Sequence, residues 1–123
     1  WTNPDYRALS DGGLEKYFTI DALLDNLMIY YLTNSITTSQ RLYKEDLSEM
    51  FSNELDRVPV EIPVGCAKFK YELAHSADNV LKEKFPQLIQ STHHDDGGHF
   101  AAMQLPKVLY NDYVDFIRKT IKS

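Results

Sequence analysis

Two strand-like runs with a helix between them, and no third run to pair with either, constrain this chain more than any other feature. Val58, Val60, Ile62 and Val64 alternate with Pro59, Glu61 and Pro63, which is the two-residue period of a strand. The two prolines remove backbone donors and predict an edge position or an irregular start. Gly65 to Phe69 extends the run, so Tyr71-Glu72 falls at its C-terminal end. Ser76 reads as the cap of a helix carrying Val80, Leu81 and Phe85, which Pro86 stops. Gln87 to Thr92 forms the second short strand. Strand, helix, strand implies a right-handed parallel crossover. Parallel strands need neighbours and cover on both faces, so two alone make an unfinished sheet. The expected class is α/β, as part of a larger fold or as a chain that needs a companion.

Upstream, residues 1–18 are turn-rich, with Asp11-Gly12-Gly13 as a break. Thr19 can cap a helix over Ile20 to Leu32, whose Leu23, Leu24, Leu27, Met28 and Tyr31 share a face. Thr37, Thr38 and Ser39 interrupt the pattern. A second helix is expected from Gln40, with Leu42, Tyr43, Leu47, Met50 and Phe51 as its apolar stripe. Pro106 suits the first turn of a last helix, on which Tyr110, Tyr113, Val114, Ile117 and Ile121 share a face.

The net charge of −5 with no basic cluster argues against a nucleic-acid partner, because phosphate binding needs concentrated Lys and Arg. Cys66 is the single cysteine and fits a reducing compartment. No apolar run approaches a membrane span, and no signal-peptide pattern opens the chain. A start at Trp1-Thr2-Asn3 fits a trimmed precursor or a piece of a longer protein. The 8 Tyr, 6 Phe and 1 Trp suit a pocket for an apolar ligand, although most such rings are expected in a core.

The chemistry concentrates at Gly97-Gly98-His99-Phe100-Ala101-Ala102. Paired glycines let the backbone turn sharply and present His99 at the lip of a site. Histidine is the best general base near neutral pH, and a carboxylate on its far nitrogen fixes the tautomer. Glu72 satisfies this if both residues sit at the C-terminal ends of neighbouring strands. Spacing alone reads equally well as a surface acid and a histidine that follows a turn. Tyr43 is a neutral donor able to bond a developing alkoxide, although a core-facing ring is the commoner case on such a helix. His75 lies beside Glu72 as a structural or nearby residue. His93-His94-Asp95-Asp96 reads as a solvated polar loop. It is not read as a metal site, because adjacent histidines in a strand point to opposite faces.

These residues also carry a resemblance. The runs Asp11-Gly12-Gly13-Leu14-Glu15, Ser39-Gln40-Arg41-Leu42-Tyr43-Lys44-Glu45, Phe69-Lys70-Tyr71-Glu72 and Gly97-Gly98-His99-Phe100-Ala101-Ala102 resemble the C-terminal third of the microsomal-type epoxide hydrolases. Ile36-Thr37-Thr38-Ser39-Gln40-Arg41, Ser91-Thr92-His93-His94 and Met103-Gln104-Leu105-Pro106 look closer to the insect juvenile hormone epoxide hydrolases within that family. The resemblance implies an α/β-hydrolase fold. Residues 1–54 would end a helical cap with its return helix, and residues 55–123 would supply the last two parallel strands and flanking helices. By carry-over, His99 is the water-activating base, Glu72 its orienting acid and Tyr43 one of two cap tyrosines that hold the epoxide oxygen.

The implied reaction converts a lipophilic epoxide and water to a diol through an alkyl-enzyme ester, with no metal or organic cofactor. The family's nucleophilic aspartate follows a Gly-Gly-Asp-Trp-like turn, and its oxyanion loop resembles His-Gly-Trp-Pro. Neither occurs among these 123 residues. The nucleophile, the second cap tyrosine and the N-terminal membrane anchor are therefore expected in an upstream part of the same enzyme. The implied location is the cytosolic side of the endoplasmic reticulum. The alternative is a catalytically incomplete fragment that binds apolar ligands or another subunit. An esterase of the same fold fits less well, because ester hydrolysis has no use for the Tyr43 phenol.

Overall fold

The computed structural model describes residues 4–50 and 57–122. The side chains of Leu47 and Met50, and all of Phe51, lie outside the described residues, so the expected stripe is traced only through Leu42 and Tyr43. The chain divides into two units, Trp1–Tyr17 with Pro59–Ser123, and Phe18–Val58.

In the first unit β1 (Val64–Tyr71) and β2 (Leu88–Gly98) pair in parallel. The register runs from Val64 opposite Leu88, through Phe69 opposite His94, to Tyr71 opposite Gly98. The alternating valines at 58–62 precede β1 and form no strand. Pro59 and Pro63 have no N–H to give a ladder, and Val60 instead donates its N–H to Lys84 O at 2.7 Å. Strand β2 continues six residues beyond the expected Thr92, so His93 to Asp96 is strand and not a solvated loop. Pairing with β1 satisfies its backbone, which outweighs the weak strand preference of His and Asp.

The connecting helix in chain order, between β1 and β2, spans Asp78–Lys84 and is entered from Ala77 with no side-chain cap. Ser76 therefore does not cap it. Alternation along the strands divides their side chains between two faces. On one face Lys68 Nζ pairs with Asp78 of this helix, and Ser91 Oγ donates to the same carboxylate at 2.7 Å. On the other, Gln90 Nε2 donates to Asp112 O at 2.8 Å, and its Oε1 accepts from Lys119 Nζ at 2.8 Å. Both of those partners lie on the last helix, Pro106–Lys122, which Pro106 starts as its fixed φ favours. That helix also approaches Gly65, where an added Cβ would lie 2.7 Å from the Phe116 ring.

The second unit is a helical pair, α1 (Ile20–Leu32) and α2 (Ile36–Met50). Thr19 Oγ1 caps α1 by accepting the Ala22 N–H at 3.2 Å. Asn34, at φ 51°, ends it: Ser35 N–H reaches Tyr30 O and Asn34 N–H reaches Tyr31 O. Helix α2 begins at Ile36, four residues earlier than the sequence suggests. Thr38 Oγ1 and Ser39 Oγ bond back to Ser35 O and Ile36 O, so the hydroxyls join the first turn instead of breaking it. In chain order the three helices of the first unit are then α3 (Asp78–Lys84), α4 (Ala101–Gln104) and α5 (Pro106–Lys122).

Phe69 is the one buried hydrophobic residue among those described, beside buried Lys68 and Gln90. The expected aromatic core is not formed: Tyr30, Tyr31, Tyr43, Phe100, Tyr110 and Tyr113 are all exposed. Two strands present too little surface to cover that many rings.

Candidate active site

The C-terminal ends of β1 and β2 bring Glu72 and His99 together. Tyr71 and Gly98 are register partners, so the next residue of each strand emerges at the same sheet end. His99 Nδ1 lies 2.8 Å from Glu72 Oε1. The close approach depends on two glycines with different jobs. Gly97 adopts φ 79°, and a Cβ there would sit 2.8 Å from both Phe69 Cδ1 and Leu105 Cδ1. A Cβ on Gly98 would sit 2.8 Å from the Tyr71 carbonyl oxygen. A larger residue at Gly98 presses on the backbone of β1, and one at Gly97 displaces the Phe69 and Leu105 side chains.

Glu72 is held as a carboxylate. The Leu73 N–H bonded to Oε1 at 2.7 Å, with the His99 ring and the nearby His75, keeps its carboxyl below the ordinary value of 4.5 despite partial burial. An ionised carboxylate only accepts hydrogen bonds, so the proton in the pair sits on His99 Nδ1. The neutral ring then carries its lone pair on Nε2, the nitrogen that Glu72 does not engage. Because folding lowers this pKa, the stabilisation from Glu72 is fully present above 4.5 and is lost as pH falls through the lower folded-state value. His99 is 57% exposed and meets Phe100 edge-on at 5.2 Å.

A second polar cluster lies just upstream on β2. Tyr17 donates its hydroxyl to Asp96 Oδ2 at 2.6 Å, and Lys16 Nζ is 3.6 Å from the same oxygen. Burial, then the Asp96 carboxylate, pushes the Tyr17 phenol well above its ordinary value. Burial raises the Asp96 carboxyl, but the Tyr17 hydroxyl, the Gly97 N–H and Lys16 outweigh it and hold it below the ordinary range. Nothing in the sequence pattern points to Tyr17, whose partner lies 79 residues away. Asp96 was visible only as one of several acids near His99.

His93 and His94 diverge, as strand alternation requires. His93 feels Asp78 on the α3 face, whereas His94 stacks on Phe69 at 4.7 Å with its Nε2 3.4 Å from Asp112 Oδ1. Among the described residues no three His, Cys, Asp or Glu side chains are placed to hold a metal. Tyr43 lies on α2, in the other unit, and is 64% exposed instead of core-facing. An open apolar hollow of about 390 Å³ is lined by Ala102, Pro106, Leu109, Tyr110 and Tyr113, with none of the three candidate residues in its wall.

The chain is 47% identical over 121 residues to juvenile hormone epoxide hydrolase 2 of Ctenocephalides felis, covering 98% of itself and 26% of that protein. It is 43% identical over 118 residues to epoxide hydrolase 1 of Oryctolagus cuniculus, again 26% of the relative's length. The crystal structure of juvenile hormone epoxide hydrolase from the silkworm Bombyx mori superposes with a TM-score of 0.89 and 42% identity, over 98% of this chain and 28% of that one. The chain aligns with the C-terminal part of these epoxide hydrolases of the juvenile hormone and microsomal type. Its fold is accordingly the closing portion of an α/β-hydrolase. No family model matches the chain. It spans about a quarter of the length of the relatives it matches.

Proposed function

We propose that the protein carrying this chain hydrolyses lipophilic epoxides to diols through an alkyl-enzyme ester, with Glu72, His99 and Tyr43 as its share of the machinery. The observation that carries this reading is the 2.8 Å contact between Glu72 and His99 Nδ1, which leaves Nε2 as the ring nitrogen able to take a proton. Relatives named as epoxide hydrolases support it. An aspartate in the upstream part of the enzyme attacks a ring carbon. The new ester C–O bond forms as the epoxide C–O bond breaks, and the alkoxide takes a proton from Tyr43 or its partner tyrosine. His99 Nε2 then removes a proton from water, whose oxygen adds to the ester carbonyl. Collapse of that adduct expels the alkoxide, which takes the proton from the His99 imidazolium and leaves as the diol, while the aspartic acid so formed returns its proton to the tyrosinate. Glu72 stabilises the imidazolium in between.

The names of the insect relatives favour a juvenile-hormone-like terpenoid epoxide as substrate. The exposed apolar residues of α1, α4 and α5 fit a surface that the rest of the hydrolase covers, with the end of a cap in residues 1–54 and core in residues 55–123. Among the described residues no helix is long and apolar enough to cross a membrane. Attachment to the endoplasmic reticulum, facing the cytosol, would then come from an anchor outside this chain. The test is to incubate the full-length protein with a terpenoid epoxide and quantify the diol. Diol in excess of enzyme is expected. Epoxide retained by the protein but recovered unchanged overturns catalysis in favour of an apolar-ligand binder.

A further inference from the structure

The base of the proposed reaction must present one particular nitrogen to Glu72, and the backbone that carries it is held by side chains the chemistry does not consume. Gly97 and Gly98 are both buried, so their N–H groups need partners within the protein. Gly97 N–H bonds to Asp96 Oδ1 at 2.8 Å. Gly98 N–H bonds to Gln104 Oε1 at 2.7 Å. Gln104 ends α4, and its own backbone N–H returns to Phe100 O at 2.9 Å. Side chain and backbone of Gln104 together close residues 98–104 into a ring, with His99 inside it.

Glu72 is fixed separately on β1. Its backbone N–H bonds to Phe69 O at 3.1 Å, and its carboxylate is oriented by the Leu73 N–H. These two bonds hold the carboxylate from its own strand, independently of Gln104. The angle of the His99 ring toward it depends on the backbone that leads into His99, and the Gln104 amide oxygen holds the peptide between Gly97 and Gly98, one link upstream. An acceptor oxygen is required there, because the group to be satisfied is a buried donor.

We propose that Gln104 is a positioning residue for His99: its carboxamide oxygen, through the Gly98 N–H, aims Nδ1 at Glu72 and so fixes the tautomer that leaves Nε2 basic. The catalytic consequence rests on the activity proposed above, whereas the tautomer does not. The deciding experiment uses histidine-labelled full-length protein and long-range proton–nitrogen correlation of the imidazoles at alkaline pH, with His99 assigned from its absence in His99→Gln. Gln104→Leu and Gln104→Met remove the strong acceptor at similar volume, and Gln104→Glu keeps it.

The expected result is an Nδ1–H tautomer at His99 in the parent and in Gln104→Glu, with a shift toward Nε2–H in the other two. Single-turnover kinetics should show ester hydrolysis slowed about tenfold in Gln104→Leu and Gln104→Met, with ring opening within about twofold of the parent. An unchanged Nδ1–H tautomer in whichever of Leu and Met folds overturns the proposal. So does a Gln104→Glu protein that loses the tautomer as they do. A parent that turns over no epoxide overturns the activity instead, and the tautomer comparison still decides the role of Gln104.

Discussion

The two units carry their candidate residues in opposite ways. In the sheet unit Glu72 and His99 meet within one piece of structure, through paired strand ends, two glycines and a glutamine that returns to the turn. In the helical unit Tyr43 stands on a helix whose described side chains are mostly exposed, and 64% of its own surface is open. The lesson is that acid–base geometry is written into the last two strands and their turn. The position of the phenol is not set by α2 alone. Ester hydrolysis should therefore be sensitive to small backbone changes in the sheet unit, and ring opening to the helical one.

The largest expected effect of three substitutions in the full-length protein comes from Gly97→Ala. Left-handed backbone at an alanine costs about 1–2 kcal/mol, and its Cβ would press on Phe69 and Leu105, costing about 1–3 kcal/mol more. The strand ends should separate, and ester hydrolysis should fall by about 100-fold, since a misplacement near 1 Å carries a penalty of that size. Stopped-flow measurement of the second step checks this, and a parent-like rate would break the claim that the glycine turn aligns the base. Next is Tyr43→Phe, expected to slow ring opening by about tenfold while leaving ester hydrolysis near the parent rate. Single-turnover alkylation at the parent rate would remove Tyr43 from the mechanism. The smallest is Thr19→Ala, which loses the cap on α1 and should lower stability by about 1 kcal/mol in chemical denaturation. A matching loss of Glu72–His99 geometry would show that the acid–base pair depends on more than the sheet unit.

Much of this was legible in the sequence because it rested on local rules. Glu72 follows its strand pattern directly and His99 follows the glycine turn, and parallel pairing brings such strand-end positions together, although the pattern ends the second strand at Thr92. Thr19 and Pro106 mark helix starts by capping and φ restriction. The failures have physical causes as well. Pro59 and Pro63 kept a perfect apolar alternation from becoming strand, because a ladder needs donors. His93 to Asp96 looked like a polar loop, yet tertiary partners absorb its polarity: Asp78, Asp112 and Tyr17 lie on three separate segments. Such partners carry no local signal, and the same is true of Gln104. Apolar stripes predict a core that the described residues alone do not build, and Tyr43, Tyr110 and Tyr113 stand exposed on them.

The measurement that bears most directly on the Glu72–His99 account is the intact mass of full-length His99→Gln after mixing with a lipophilic epoxide. The account predicts a protein heavier by one substrate, persisting long after the parent has returned to its free mass and released diol. Diol release at the parent rate with no adduct would contradict it, because water activation would then not depend on His99.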